Sequence, residues 1–263
     1  MDRILKSGGV WLDNQRVYSR DTVILSGKTL KVFISPTQDV RYVLPDYSVV
    51  DETVDWIVVL KPRGLSTVPD RACERFNLTA AVEAYLKTKG IGYVPTAISR
   101  LDLMVGGIVI FPKHKLAEKR LFEMMRTHQI VKRYRMKISR PVEGCIKNVV
   151  LPVDFNRKAI VCDHGKPSRT IFIRDQRFDN EWVAIPVTGR RHQIRLHAAT
   201  VLSPILGDTM YGGRRASEFG LTATGLNFNW DGHRVRVRFS GPVDSIRQVE
   251  GAIVGPGVQP VPE

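Results

Sequence analysis

Apolar and polar positions along the chain fall into two rhythms. Residues 55–62, reading DWIVVLKP, and 106–113, reading GGIVIFPK, are near-continuous apolar runs of strand length that end at or beside a proline. Runs of that kind predict buried strands. Residues 131–138, reading VKRYRMKI, alternate instead: Lys132, Tyr134, Met136 and Ile138 share one face, while Arg133, Arg135 and Lys137 share the other. Residues 181–187 read as a further strand, and 233–241, HRVRVRFSG, as a last alternating one. Helical spacing appears in three places. Residues 78–89 put Ala81, Ala84 and Tyr85 on one face. Residues 115–128 turn Leu116, Leu121, Met124 and Met125 toward a core. Residues 191–202 carry Ile194, Ala198, Val201 and Leu202 as an apolar stripe.

Ahead of these elements the pattern is weaker. Residues 1–35 predict a small β-rich segment with two hairpins. One spans 10–17 and turns at Asp13-Asn14; the other spans 22–34 and breaks at Ser26-Gly27. The segment is too short to hold a core of its own. Residues 36–53 contain two prolines and little periodicity, which predicts a linker. Residues 246–263 read as a tail.

Composition narrows the function. A chain of 263 residues makes one large domain, or one with a small appendage. No apolar run approaches the roughly 18 to 20 residues that a membrane helix needs, and the first residues lack the apolar core of a signal peptide. The expectation is a cytoplasmic protein with no membrane partner. The three cysteines, Cys73, Cys145 and Cys162, are far apart and form no CxxC pair, and the six histidines do not cluster with cysteines or carboxylates. Neither a metal site nor a disulfide framework is predicted. The net charge of +14 points to a polyanion, with nucleic acid the first candidate. Its distribution supports this: residues 113–140 hold ten Lys/Arg against only Glu118 and Glu123.

Against that basic background, residues 98–111, ISRLDLMVGGIVIF, set one acid, Asp102, between Arg100 and the Gly106-Gly107 pair. Alone, such an acid reads as a turn residue or a salt-bridge partner. It does not stand alone. VLKPRGLSTVP at 59–69, SRLDLMVGGIVIF at 99–111, IVKRYRMKI at 130–138, KPSRTIF at 166–172 and PVTGRRHQIRLHAATVLSPILGDTMYGG at 186–213 follow in order. Together they resemble the RluA-type RNA pseudouridine synthases, from about residue 54 to residue 242. The RLD piece and the TGR-x-HQIR-x-H…PILGD-x-x-YG piece are the specific ones.

The resemblance implies an α+β fold: a mixed, mainly antiparallel sheet with flanking helices and a central RNA-binding cleft, over residues 54–245. It implies isomerisation of uridine to pseudouridine within RNA, ribosomal or transfer, by a monomer that uses no cofactor. Motif by motif, Asp102 falls on the family's catalytic aspartate, Tyr134 on the tyrosine that stacks against the base, and Arg195 on the arginine that pairs with the aspartate. Leu206 falls on the leucine that packs under the site. Arg100, Leu206, Arg190, His192, Arg133 and Arg135 are the expected substrate-binding residues. Asp102 would either attack the sugar or assist removal of a sugar proton, and both roles require it ionised. Burial opposes ionisation and a guanidinium favours it. Tyr134 would offer a flat face to the base and a hydroxyl for late proton transfer from carbon 5.

Three positions depart from the family's pattern. Ser99 stands where histidine is common, Val105-Gly106-Gly107 where Thr-Ser-Gly is common, and Arg191 where a small hydroxyl residue is common. The N-terminal hairpins resemble the β half of a small RNA-binding module often fused to these enzymes. The rival reading is a non-catalytic RNA-binding or RNA-folding protein on the same fold, which the altered loop after Asp102 keeps open.

Overall fold

The computed structural model describes residues 2–34, 42–45, 48–156 and 158–243. The expected tail, 246–263, and part of the expected linker lie outside them. The chain forms two compact units, Met1–Leu121 with Gly241–Glu263, and Phe122–Ser240.

In the first unit, α1 (Asp2–Ser7) precedes β1 (Val10–Leu12), β2 (Gln15–Val17) and β3 (Leu30–Val32). The hairpin turning at Asp13-Asn14 forms, with Val10 opposite Val17 and Leu12 opposite Gln15. The second expected hairpin does not. Val23, Ile24 and Leu25 are exposed, and only β3 pairs, with β1. The Asp13 carboxylate explains the choice: it accepts from the Thr29 backbone N–H at 3.0 Å and from Lys28 at 2.9 Å, which draws the following strand beside β1. The segment is also tied to residues 70–74 of the same unit. The Trp11 indole donates to the Arg71 carbonyl at 2.9 Å, Arg16 donates to the Asp70 carbonyl at 2.6 Å, and the Glu74 N–H donates to the Ser7 carbonyl at 2.9 Å.

The expected linker ends early, because β4 (Val49–Glu52) pairs antiparallel with β5 (Trp56–Lys61). β5 pairs in turn with β6 (Gly106–Pro112). Ile57, Val58 and Val59 are fully buried, as an uninterrupted apolar run requires of a strand covered on both faces. Between them lies α2 (Leu78–Thr88), capped by the Asn77 side chain, which accepts from the Ala80 N–H at 3.0 Å. Its inward stripe is Leu78, Ala81, Val82 and Leu86, with Ala84 outward, a correction of one position in phase. In α3 (Lys115–Arg126) the core face is Ala117, Leu121 and Met124, and the expected Leu116 is 74% exposed.

In the second unit β7 (Val131–Lys137), β8 (Ile146–Val150), β11 (Arg169–Arg174), β12 (Glu181–Pro186), β13 (Leu221–Trp230) and β14 (His233–Arg238) lie in the order β14-β13-β7-β12-β11-β8. Each neighbour pair is antiparallel. A separate ribbon joins β9 (Val153–Asn156) to β10 (Lys158–Val161). α4 (Gln193–Val201) and a short 3-10 turn at Thr209–Tyr211 complete it. This is the mainly antiparallel α+β architecture expected. Trp182, Met136, Ile138 and Phe172 are fully buried on the inner face of the sheet. β7 carries out its alternation: Tyr134 and Met136 point inward, Arg135 and Lys137 outward.

Candidate active site

Asp102 lies in the loop that leads into β6, and the chain on each side of it is pinned by backbone. Thr67 accepts from the Leu101 N–H and donates to the Leu101 carbonyl, both at 3.0 Å. The Leu103 carbonyl accepts from the Gly64 N–H at 2.8 Å and from the Lys61 ammonium at 3.2 Å. The Asp102 carbonyl accepts from the Val105 N–H at 3.0 Å, closing the turn. The two glycines next to it have separate causes. A Cβ at Gly106 would come within 2.4 Å of Val243, and Gly107 holds φ at 119°, a region glycine alone enters freely. Val105 is buried. The Val105-Gly106-Gly107 departure is thereby a packing solution of this chain.

Lys61, read from sequence as no more than the end of a strand, is a residue that reading missed. It is fully buried, and its ammonium donates to the carbonyls of Pro62 (3.1 Å), Leu65 (2.6 Å) and Leu103 (3.2 Å). Three acceptors match the three protons of an ammonium. Burial pushes its pKa down to about 7, the negative charge of Asp102 works against that shift, and Arg63 adds to it. Lys61 thereby ties the chain beside Asp102 to its own unit, and the negative charge of Asp102 favours the ammonium form. The folded pKa is lower than the 10.5 of a free lysine. The unfolded chain therefore binds the extra proton between about pH 7 and 10.5, and stability rises with pH across that window. Urea midpoints taken at intervals from pH 6.5 to 9.5 should climb for the wild type. The climb should be smaller for Lys61→Met, in which Lys132, whose pKa burial also lowers, remains, and a climb of equal size in that variant would remove Lys61 as its source.

Tyr134 sits in the middle of the second unit's sheet, with Ala184 of β12 and Ala223 of β13 as its cross-strand neighbours. Arg133 and Arg135 project from the other face of β7. Their side chains therefore lie on the opposite side of the sheet from the Tyr134 ring.

Arg195, on α4, is buried, and its Nε and Nη2 donate to Asp208 Oδ2 at 2.7 Å and Oδ1 at 2.8 Å. This is a bidentate buried pair. Its guanidinium also stands 5.0 Å from the Tyr211 ring centre and 5.4 Å from that of Phe219. Asp208 and Tyr211 belong to the ILGDTMYG stretch and received no role from sequence. The one signal available was an acid inside a strongly basic stretch.

His192 heads α4 with φ at 56°, a left-handed conformation that costs a non-glycine residue roughly 1–3 kcal/mol. The ring is held in place. Nδ1 lies 2.9 Å from the Tyr211 hydroxyl, which accepts from the Ala159 N–H at 2.9 Å. The hydroxyl thus links the His192 ring to the β10 backbone. Phe155 meets the same ring edge-on at 5.3 Å. Arg190 is exposed and donates to the Pro167 carbonyl at 3.3 Å. Arg100 is exposed, two residues before Asp102. Leu206 is anchored by backbone to the end of β7, its N–H donating to the Lys137 carbonyl at 2.8 Å.

Other polar residues of the 186–213 stretch build the frame. Gln193 accepts from the Thr188 hydroxyl and the Arg190 N–H, and donates to the Arg169 carbonyl and Thr170. His197 lies between Thr170 and the Leu151 carbonyl, and burial lowers its pKa, so the imidazole is neutral. Among the described residues no group of three or more His, Cys, Asp or Glu stands together as metal ligands would. None of their helices is long and apolar enough to cross a membrane.

A family model described as RNA pseudouridylate synthase matches residues 55–200. A dual-specificity RNA pseudouridine synthase RluA of Vibrio cholerae is 32% identical over 185 residues, which is 66% of this chain and 72% of that protein. Ribosomal large subunit pseudouridine synthase D of Vibrio vulnificus is 28% identical over 254 residues, 91% of this chain and 77% of that protein. Among solved structures, human RNA pseudouridylate synthase domain containing 1 aligns with a TM-score of 0.62 at 19% identity, over 74% of this chain and 83% of its own.

Proposed function

Because the chain belongs to the RNA pseudouridylate synthase family, we propose that Asp102 is the carboxylate through which it isomerises uridine to pseudouridine in RNA. The chemistry breaks the bond from uracil nitrogen 1 to the sugar and forms one from carbon 5. The carbon 5 proton leaves and nitrogen 1 gains one, so electrons and atoms balance without a co-reactant. The observation that carries the assignment is the setting of Asp102: a loop held at Leu101 by Thr67 and at Leu103 by the buried Lys61. Such a loop holds a charge in one place before substrate arrives, as electrostatic preorganisation requires. Whether the carboxylate attacks the sugar or assists its deprotonation, the ionised form is the working one. Arg195, fixed by Asp208, supplies the guanidinium that the motif assigns to the aspartate. Arg100, Arg190 and His192 hold the flipped-out nucleotide and its neighbours, and Leu206 packs under the base.

Large-subunit ribosomal RNA is the substrate this reading favours over transfer RNA. The support is that likeness to the Vibrio vulnificus large-subunit enzyme extends over 91% of this chain, where likeness to the Vibrio cholerae dual-specificity enzyme covers 66%. A cytoplasmic monomer acting on that RNA completes the proposal. Mapping pseudouridines in total RNA with and without the protein tests it. A site lost only from transfer RNA would reassign the substrate.

Tyr134 divides its work between ring and hydroxyl. Tyr134→Phe should bind RNA within about twofold of the wild type, since stacking remains, yet form little finished pseudouridine. Tyr134→Ala should lose the stacking as well, about 1–3 kcal/mol of binding. Wild-type turnover by the Phe variant would show the hydroxyl to be dispensable.

A further inference from the structure

Five arginines gather on the outer face of the second unit's sheet, opposite to Tyr134. β14 carries Arg234, Arg236 and Arg238 at alternate, exposed positions. The register sets Arg238 across from Gly225 of β13, and Gly225 across from Arg133 of β7. Arg236 faces Asn227, and Arg234 faces Asn229. Arg135 is two residues along β7 from Arg133. Residues two apart on a strand are separated by about 7 Å and strands by about 4.8 Å, so the five guanidinium groups cover a patch roughly 14 Å by 10 Å.

The patch is built, not incidental. The site of a Cβ on Gly225 lies 2.9 Å from Arg238 Nη1 and 3.2 Å from Arg133 Cβ, so the two arginines pack closely over this position. Arg238 donates to Asn227 at 2.8 Å, and Arg135 lies 3.4 Å from the Ser240 carbonyl. Among the described residues none of the five makes a carboxylate ion pair. Burial and the neighbouring Arg133, Arg236 and Arg234 all lower the pKa of Arg238, the mark of like charges crowded together. An array of this kind is destabilising until an anion lies on it.

Its shape selects among polyanions. The positions that face out with the arginines are Gly225, Asn227 and Asn229, while Phe228 and Trp230 point inward and are buried. Single strands are held largely by stacking on aromatic rings, and this face offers none. Duplex RNA is held by its phosphates and 2′-hydroxyls, to which arginine and asparagine are suited. We propose that this face holds the sugar–phosphate backbone of a double-stranded stem of the substrate RNA, apart from the nucleotide that reacts at Tyr134. The proposal rests on the reading of the protein as an RNA-modifying enzyme.

The test uses the whole protein and the triple variant Arg234→Gln/Arg236→Gln/Arg238→Gln, with thermal melting to show that the variant is folded. Affinity is measured by filter binding over a range of salt concentrations for a short RNA duplex and for one of its strands. The wild type should prefer the duplex. The variant's slope of log affinity against log salt should be shallower by about 2–3 for the duplex, near 0.9 for each lost phosphate contact, and little changed for the single strand. An unchanged duplex slope overturns the proposal. So does an equal loss for the single strand, or a wild type that ignores the duplex, as it would if an acidic protein were the occupant. Pseudouridine formation is read separately: duplex binding with the expected slope, but no isomerisation of any RNA, would sink the enzyme reading and leave this face standing.

Discussion

Asp102→Asn is expected to release tritium from RNA labelled on carbon 5 of uridine at least ~10³-fold more slowly than the wild type, toward the upper end of what one positioned acid or base contributes. It is also expected to melt within a few degrees of the wild type and to bind RNA. The two halves of the result have different causes. The loop is held through the backbone of Leu101 and Leu103, by Thr67, Gly64 and Lys61, and none of those bonds uses the Asp102 side chain. Asparagine fills the same volume, so the fold has little reason to change. What disappears is the charge. Both chemical roles open to the residue need it, while Lys61 keeps its three carbonyl acceptors and loses only a charge that favoured its ammonium form. Release at the wild-type rate would show that another group does the chemistry. No release by the wild type from any RNA would favour a protein that only binds.

Asp208→Ala is expected to destabilise the folded state by about 3–5 kcal/mol, read from urea unfolding, because it strands a buried guanidinium. Asp208 is 1% exposed and takes both Nε and Nη2 of Arg195. Turnover should fall as well, since the bidentate grip fixes the direction in which the guanidinium points. The double variant Arg195→Met/Asp208→Leu separates the two effects. Apolar groups of similar volume can replace a buried ion pair at little cost, so this variant should regain most of the lost stability and none of the turnover. If it regained both, the pair would be architecture alone. If Asp208→Ala cost less than about 1 kcal/mol, the pair would be behaving like an exposed one.

β7 was legible because its alternation is strict, and that alternation also implied that Tyr134 and its arginine neighbours face apart. β13, ten residues long, escaped notice for an identifiable reason. Its apolar positions run Leu221, Ala223 and then Leu226, Phe228, Trp230, and the register shifts between Ala223 and Gly225. A bulge moves the period by one residue, so no single alternation spans the strand. Lys61 and Asp208 were hidden differently. Each is a charged residue in a short motif, and ordinary expectation leaves such residues in water. The partners of Lys61 are carbonyls up to 42 positions away, and that of Asp208 lies 13 positions back on α4. Burial of a charge depends on such distant groups, which local pattern does not report.

The chain leaves the Asp102 unit within α3 and re-enters it only at Gly241. There the Val243 carbonyl accepts from the buried Arg63, and its side chain closes against Gly106. A ribosome adding about 5–20 residues per second makes Gly106 roughly 7–27 s before it makes Val243. Throughout that interval the seat beside the Asp102 loop is open, and Arg63 lacks that acceptor. During synthesis, then, the full length of the second unit emerges first. The loop that carries Asp102 gains its packing against Val243 only after the whole of the second unit has been made.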